Sequence, residues 1–125
     1  MKRIQRKRTK GWRTPAGVVY VGRGSKWGNP FKLVGDMIYV NCRYRRWNLD
    51  PWVYYSLGDI SDVIYLYGKL FDGTQFWNRD IQHWADHFKN MDINELKGKD
   101  LSCWCALDKP CHADILLKLS NNISE

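Results

Sequence analysis

Two breaks near the start of the chain fix what can form there. "GWRTPAG" (11–17) and "GRGSKWGNP" (22–30) carry glycine and proline too densely for a helix to pass through. Only short extended segments fit around them. "VVYV" (18–21) between the breaks is β-branched and aromatic and reads as a strand. Residues 3–8 read as an edge strand whose only large apolar side chain is Ile4. Beyond the second break, "FKLV" (31–34) and "MIYVNC" (37–42) flank Gly35-Asp36 and predict a hairpin.

The remainder changes character. Residues 43–59 have no clean period and contain Pro51, so a loop or arm is expected within an elaborated segment at about 36–58. Asp59 or Ser61 can cap a helix in which Ile60, Val63, Ile64, Tyr67, Leu70 and Phe71 recur at three-and-four spacing, with Gly73 ending it. Thr74 can cap a second helix with the stripe Trp77, Ile81, Trp84, Ala85 and Phe88. "LKGKD" (96–100) is a turn and "LSCWC" (101–105) a short buried strand. After "ALDKP", with Asp108 as a cap and Pro110 in the first turn, "CHADILLKLS" (111–120) is a helix burying Ile115, Leu116 and Leu119. The tail 121–125 should fray.

A chain of 125 residues suits one domain with one core, expected over 1–125. Strands followed by helices, ending in a strand–loop–helix unit, predict an α/β fold, with α+β as the alternative. The expected form is a small sheet layered with helices and a Rossmann-like ligand edge.

The net charge of +7 is unevenly placed. Residues 1–13 hold seven cations and no acid, which leaves 13 basic and 13 acidic residues in the rest. That basic arm would attract phosphates. No apolar run of about 18 residues suggests a membrane span. No apolar segment behind the N-terminal charges suggests a secretory signal. Three of the four cysteines fall within nine residues, unlike a disulfide framework. Reduced thiols in the cytoplasm are the expectation.

The loop 22–30 is more than a turn requires. Gly22, Gly24 and Gly28 allow close approach of backbone N–H groups to an oxyanion, with Ser25 between them. Arg23 offers a planar fork and Lys26 a point charge. Trp27 offers a stacking face, and Asn29 can read a ring edge. Arg13 and Cys105 complete the expected ligand-binding set. The glycine spacing is neither a dinucleotide fingerprint nor a P-loop. The opposing reading is a rigid loop with Trp27 packed as a lid on the core.

The second constellation is "CWCALDKPCH" (103–112). Cys103, Cys105, Cys111 and His112 form a weak zinc alternative, because adjacent Cys-His ligands should strain to reach one ion. At a helix start, a thiol of lowered pKa can act as a nucleophile, so Cys111 with His112 as base is the candidate catalytic pair. Small buried cysteines that simply pack are the third reading. His83 and His87, four apart on the second helix, read as a solvated polar face.

"RIQRKRTKGWR", "VYVGRGSKWGNPF" and "LSCWCALDKPCHADIL" together resemble an uncharacterised domain family of phages and bacteria, the domain of unknown function numbered 4326. The resemblance implies that the basic arm is integral, since Lys10-Gly11-Trp12-Arg13 belongs to its pattern. It also implies a place in host-cell cytoplasm if the chain is phage-encoded. The leading expectation is a domain that sequesters or processes a nucleotide or nucleotide-derived phosphate compound in phage–host nucleotide handling. If it processes the ligand, it would do so as a hydrolase or transferase. The alternatives are a single-stranded or non-specific nucleic-acid-binding module and a structural zinc domain for protein interaction. No resident cofactor is expected under the leading reading, and no membrane partner; the oligomeric state is left open.

Overall fold

The computed structural model describes residues 2–45 and 50–121, so the expectations for 46–49 and for the tail 122–125 lie outside the described residues. The architecture is α+β, with two three-stranded sheets and three helices among the described residues. Two compact units divide the chain, Met1–Gly28 with Asp92–Glu125, and Asn29–Met91.

The first unit is built on a parallel sheet. Strands β1 (Arg3–Gln5) and β2 (Val19–Tyr20) form its edges. The central strand comes from the far end of the chain, at Leu101–Cys103. Its three residues are all buried, which suits a strand covered on both faces. Strand β1 is the edge expected from the sequence, although only three residues of 3–8 join the ladder. Helix His112–Ser120 packs against the central strand and β1, burying Ala113, Leu116 and Ser120. Leu119, expected inside, is exposed. The helix begins at Cys111 as N-cap rather than at Asp108, and Pro110 therefore precedes it. A short 3-10 turn at Ile93–Leu96, unforeseen in the sequence, seats Leu96 in the core.

The second unit has an antiparallel sheet. The hairpin of β3 (Phe31–Val34) and β4 (Met37–Asn41) forms as expected, with Gly35 at φ +63° in the turn. A third strand, β5 (Trp52–Leu57), pairs with β4 where an arm was expected. The register shift between Ile38 and Tyr39 leaves Tyr55 as an extra residue. That bulge breaks the alternation and hides the strand from a period-two reading. In chain order the parallel sheet's central strand is thus β6.

Helix α1 (Ile60–Lys69) starts at Asp59, in a capping box with Asp62. Helix α2 (Arg79–Lys89) starts later than expected, because Asn78 is the N-cap and accepts from the amides of Asp80 and Ile81. Thr74 instead bonds Asp72. Trp77 consequently precedes the helix and is fully exposed rather than in the stripe. The last helix, His112–Ser120, is α3.

Candidate functional site

All three parallel strands end at one edge, where ligands of open parallel sheets gather. Register sets which side chains share a face there. Arg3, Leu101 and Val19 lie side by side, as do Ile4, Ser102 and Tyr20. Alternation then puts Arg3, Cys103 and Val21 on the face toward α3. It puts Tyr20 and Ser102 on the other face, with Arg6 and Trp104 just past the strand ends.

The face away from α3 carries an arginine–aromatic cluster. The Arg6 guanidinium lies 4.7 Å from the Tyr20 ring centre, 5.1 Å from Trp104 and 5.9 Å from Trp12. Arg8 covers Trp104 as well, at 4.7 Å. These separations are within cation–π range. Arg6 Nε and Ser102 Oγ are both buried and have no hydrogen-bond partner among the described residues. Tyr20 donates its hydroxyl to the Arg23 carbonyl at 2.8 Å. This lays the tyrosine ring over Gly22, where a Cβ would sit 2.5 Å from the hydroxyl oxygen. A side chain at 22 would therefore have to push the Tyr20 ring aside.

The face toward α3 gathers the thiols. The Sγ atoms of Cys103, Cys105 and Cys111 all lie within 4.8 Å of one another, so the three could hold a metal ion. Cys103 and Cys111 are 3.1 Å apart, and Cys111 Sγ is 3.6 Å from His112 Nδ1. His112 Nε2 donates to the Val21 carbonyl at 2.6 Å. Neutral imidazole carries one proton, so this bond leaves Nδ1 as a lone pair turned to Cys111. Arg3 reaches across from β1, its side chain only 7% exposed. It donates to the carbonyls of Ala106, Leu107 and Lys109 at 2.7–3.0 Å and lies 3.6 Å from Asp114. Those carbonyls belong to the loop that carries Cys111 back to Cys103.

Hydrogen bonds from Cys103 and Cys105 lower the Cys111 thiol, against the burial that raises it. Cys103 is raised by its bonds to Cys105 and Cys111 and by burial. The Cys103 bond pulls Cys105 down, but Cys111 and burial push it further up. The three thiols thus act on one another, Cys111 drawn down while Cys103 and Cys105 are pushed up. Burial opposes the charge on Arg3, but Cys111 and Asp114 raise it overall.

The expected ligand set is only partly assembled at this edge. Arg13, Arg23 and Gly24 are exposed, and Gly24 takes φ +93°. Arg23 is lowered by burial, which Cys105 and Tyr20 oppose. Ser25 closes a turn through its hydroxyl onto the Gly22 carbonyl at 2.7 Å, and the Gly28 amide bonds the Ser25 carbonyl. Lys26 is ion-paired with Glu95. Trp27 is 2% exposed, so its ring is packed in the core as the opposing sequence reading had it. Asn29 belongs to the other unit, is buried, and accepts from the Phe31 amide. Cys111 is 1% exposed and His112 is buried, whereas Cys105 is half-buried. A nucleophile must reach its substrate, and at Cys111 little of the residue is open to solvent.

Arg3, Arg6, Tyr20 and Trp104 were missed as site residues. The missing signal was the pairing of a strand near residue 4 with one near residue 102, which no local pattern reports.

The second unit has its own groove, of about 850 Å³, lined by Tyr44, Arg45, Trp77, Arg79 and His83 among others. Tyr44 stacks on His83 with ring centres 3.5 Å apart. Asp80 accepts from the Tyr44 hydroxyl at 2.6 Å and pairs with Arg45 at 2.7 Å. His83 and His87 are half-buried against Trp84 rather than on a solvated face.

A parallel sheet with a cluster of three thiols that could hold a metal ion marks the first unit of a small α+β chain. The chain belongs to the family described as domain of unknown function (DUF4326), which matches residues 4–122. No curated protein and no solved structure matches it. Among the described residues, no helix is long and apolar enough to cross a membrane.

Proposed function

We propose that the domain binds a nucleotide or nucleotide-derived phosphate compound at the carboxyl edge of the parallel sheet. The observation that carries the reading is the arrangement of Arg6. Its guanidinium lies among three aromatic rings, and on the same face its buried Nε and the buried Ser102 hydroxyl both lack a hydrogen-bond partner among the described residues. Buried donors left without partners are uncommon in native proteins and invite a bound group. Exposed Arg23 and Arg13 add charge for phosphates, and Trp104, 41% exposed, takes the stacking role first given to Trp27. The burial of Cys111 favours holding the ligand over transforming it.

The test is calorimetric titration with nucleoside mono- and triphosphates, cyclic nucleotides and ADP-ribose. Trp104→Ala should weaken a ligand that binds the parent chain by roughly 5- to 100-fold, the range for loss of one base–aromatic stack. Absence of binding by every one of these compounds at millimolar concentration overturns the proposal.

A second reading, single-stranded nucleic acid, is favoured by a separate observation. Fully exposed Trp77 stands at a groove with Arg45 and Arg79. It requires affinity for oligonucleotides that falls steeply with salt and is lost in Trp77→Ala. Weak binding that is flat with salt removes it.

A further inference from the structure

We infer that Cys103, Cys105, Cys111 and His112 Nδ1 form a Cys3His centre for a zinc-type divalent cation. The inference stands apart from the ligand site on the opposite face of the sheet.

Geometry carries it. Tetrahedral zinc with Zn–S of about 2.3 Å and Zn–N of about 2.0–2.1 Å separates two sulfurs by about 3.8 Å and a sulfur from a nitrogen by about 3.6 Å. Cys111 Sγ and His112 Nδ1 are 3.6 Å apart. The three sulfurs lie within 4.8 Å of one another, and the closest pair is at 3.1 Å. The Cys103–Cys111 pair has to open by about 0.7 Å to reach tetrahedral spacing, and His112 Nδ1, already at the required distance from Cys111, has to swing toward the other two sulfurs.

The strain expected of adjacent Cys111 and His112 ligands is relieved by the helix start. Cys111 is an extended N-cap, at φ −149° and ψ 147°, while His112 is the first helical residue. The change of backbone conformation between them lets neighbouring side chains converge.

The surroundings also fit. A metal-bound imidazole almost always donates its other N–H to a carbonyl or carboxylate, which fixes the tautomer. His112 does so to Val21. Three thiolates and a divalent cation carry one net negative charge, and Arg3 supplies the matching positive charge from a nearly buried position. Arg3 also grips three carbonyls of the loop that brings Cys111 to Cys103. Soft donors in a closed tetrahedron with buried sulfurs select zinc-type ions and leave no open position for catalysis. The role is therefore structural: the ion would pin the end of β6 to the start of α3.

The test uses the full chain, purified under reducing conditions from zinc-supplemented medium. Elemental analysis should find stoichiometric zinc. Cobalt exchanged into the protein should give a sulfur-to-cobalt charge-transfer band and the intense visible bands of a tetrahedral site. Cys105→Ser changes the least buried of the three thiols, so it should fold. The charge-transfer intensity per cobalt should then drop by about one third, since two thiolates remain of three. Arg3→Met should weaken zinc binding by about 10- to 100-fold, as losses around the ligands typically do. Two results overturn the inference. One is a folded, reduced chain that holds no metal and takes up no tetrahedral cobalt. The other is a metal-free chain in which Cys103 and Cys111 are joined as a disulfide, seen as a mass deficit of two hydrogens that a reductant reverses.

Discussion

Replacing Arg3 with methionine should be among the most damaging single changes in the first unit, although the residue sits on a three-residue edge strand. Methionine keeps much of the aliphatic bulk but removes the guanidinium. Three hydrogen bonds of 2.7–3.0 Å to the carbonyls of Ala106, Leu107 and Lys109 disappear, together with the 3.6 Å pairing with Asp114. Charged hydrogen bonds contribute about 1.5–3 kcal/mol each. Two of the three bonds have exposed acceptors that water can reach once the cation is gone, so their full sum does not apply. A loss of about 2–4 kcal/mol remains. The assay is urea denaturation with chelator present, which separates this effect from any metal. Two companions locate its origin. Arg3→Lys should recover less than half, because one ammonium cannot hold the loop carbonyls with one nitrogen and Asp114 with a second, as the guanidinium fork does. Asp114→Asn should cost under about 1 kcal/mol, because the carboxylate is 46% exposed. If Arg3→Met costs under about 1 kcal/mol, or Asp114→Asn matches it, the loop-clamping argument fails.

Three further outcomes follow from particular contacts. Gly22→Ala should destabilise by about 1–3 kcal/mol in the same assay, since its Cβ would enter the Tyr20 ring; a change under about 0.5 kcal/mol would mean the ring can step aside. Asn78→Ala should cost about 1 kcal/mol through loss of two capping bonds, and Thr74→Ala clearly less; the reverse order would restore the earlier helix start. His83 should titrate below 6.5, because burial disfavours its cation and His87 adds repulsion, against the pull of Asp86 and Asp80. Its contribution to stability is then complete above the unfolded value, falls as pH drops from 6.5 to the folded midpoint, and is level below that. An NMR titration with a midpoint at or above 6.5 contradicts this.

What the sequence showed of the fold was whatever is local. Gly35-Asp36 between two β-branched runs announced the β3–β4 hairpin, and three-and-four spacing announced α1 and α3. Strand β5 stayed hidden because the extra residue Tyr55 breaks its alternation. The start of α2 was misplaced because Thr74 and Asn78 are both acceptable caps, and only tertiary context chooses between them. Trp77 moved from the core to the surface with that choice. Relative facing within a helix depends on residue spacing and not on where the helix starts, so Ile81, Ala85 and Phe88 still share the buried face.

The site was legible in its ingredients and illegible in its pairing. Cysteines and histidine at 103–112 were visible as a cluster, but the choice among metal, nucleophile and packing needed two facts that span the chain. One is the bond from His112 to Val21, which sets the tautomer. The other is Arg3, which brings compensating charge from a hundred residues away. Both depend on β1 and β2 lying parallel on either side of β6, and parallel strands must be joined by long connections. Short-range pattern therefore cannot report them. The same register splits the N-terminal arginines between two tasks. Arg3 turns toward the thiols and α3, while Arg6, three residues on and so on the opposite face, turns toward Tyr20 and Trp104. A basic arm that reads as a single electrostatic patch thus serves two faces, with Arg3 a buried anchor on one and Arg6 set among aromatic rings on the other.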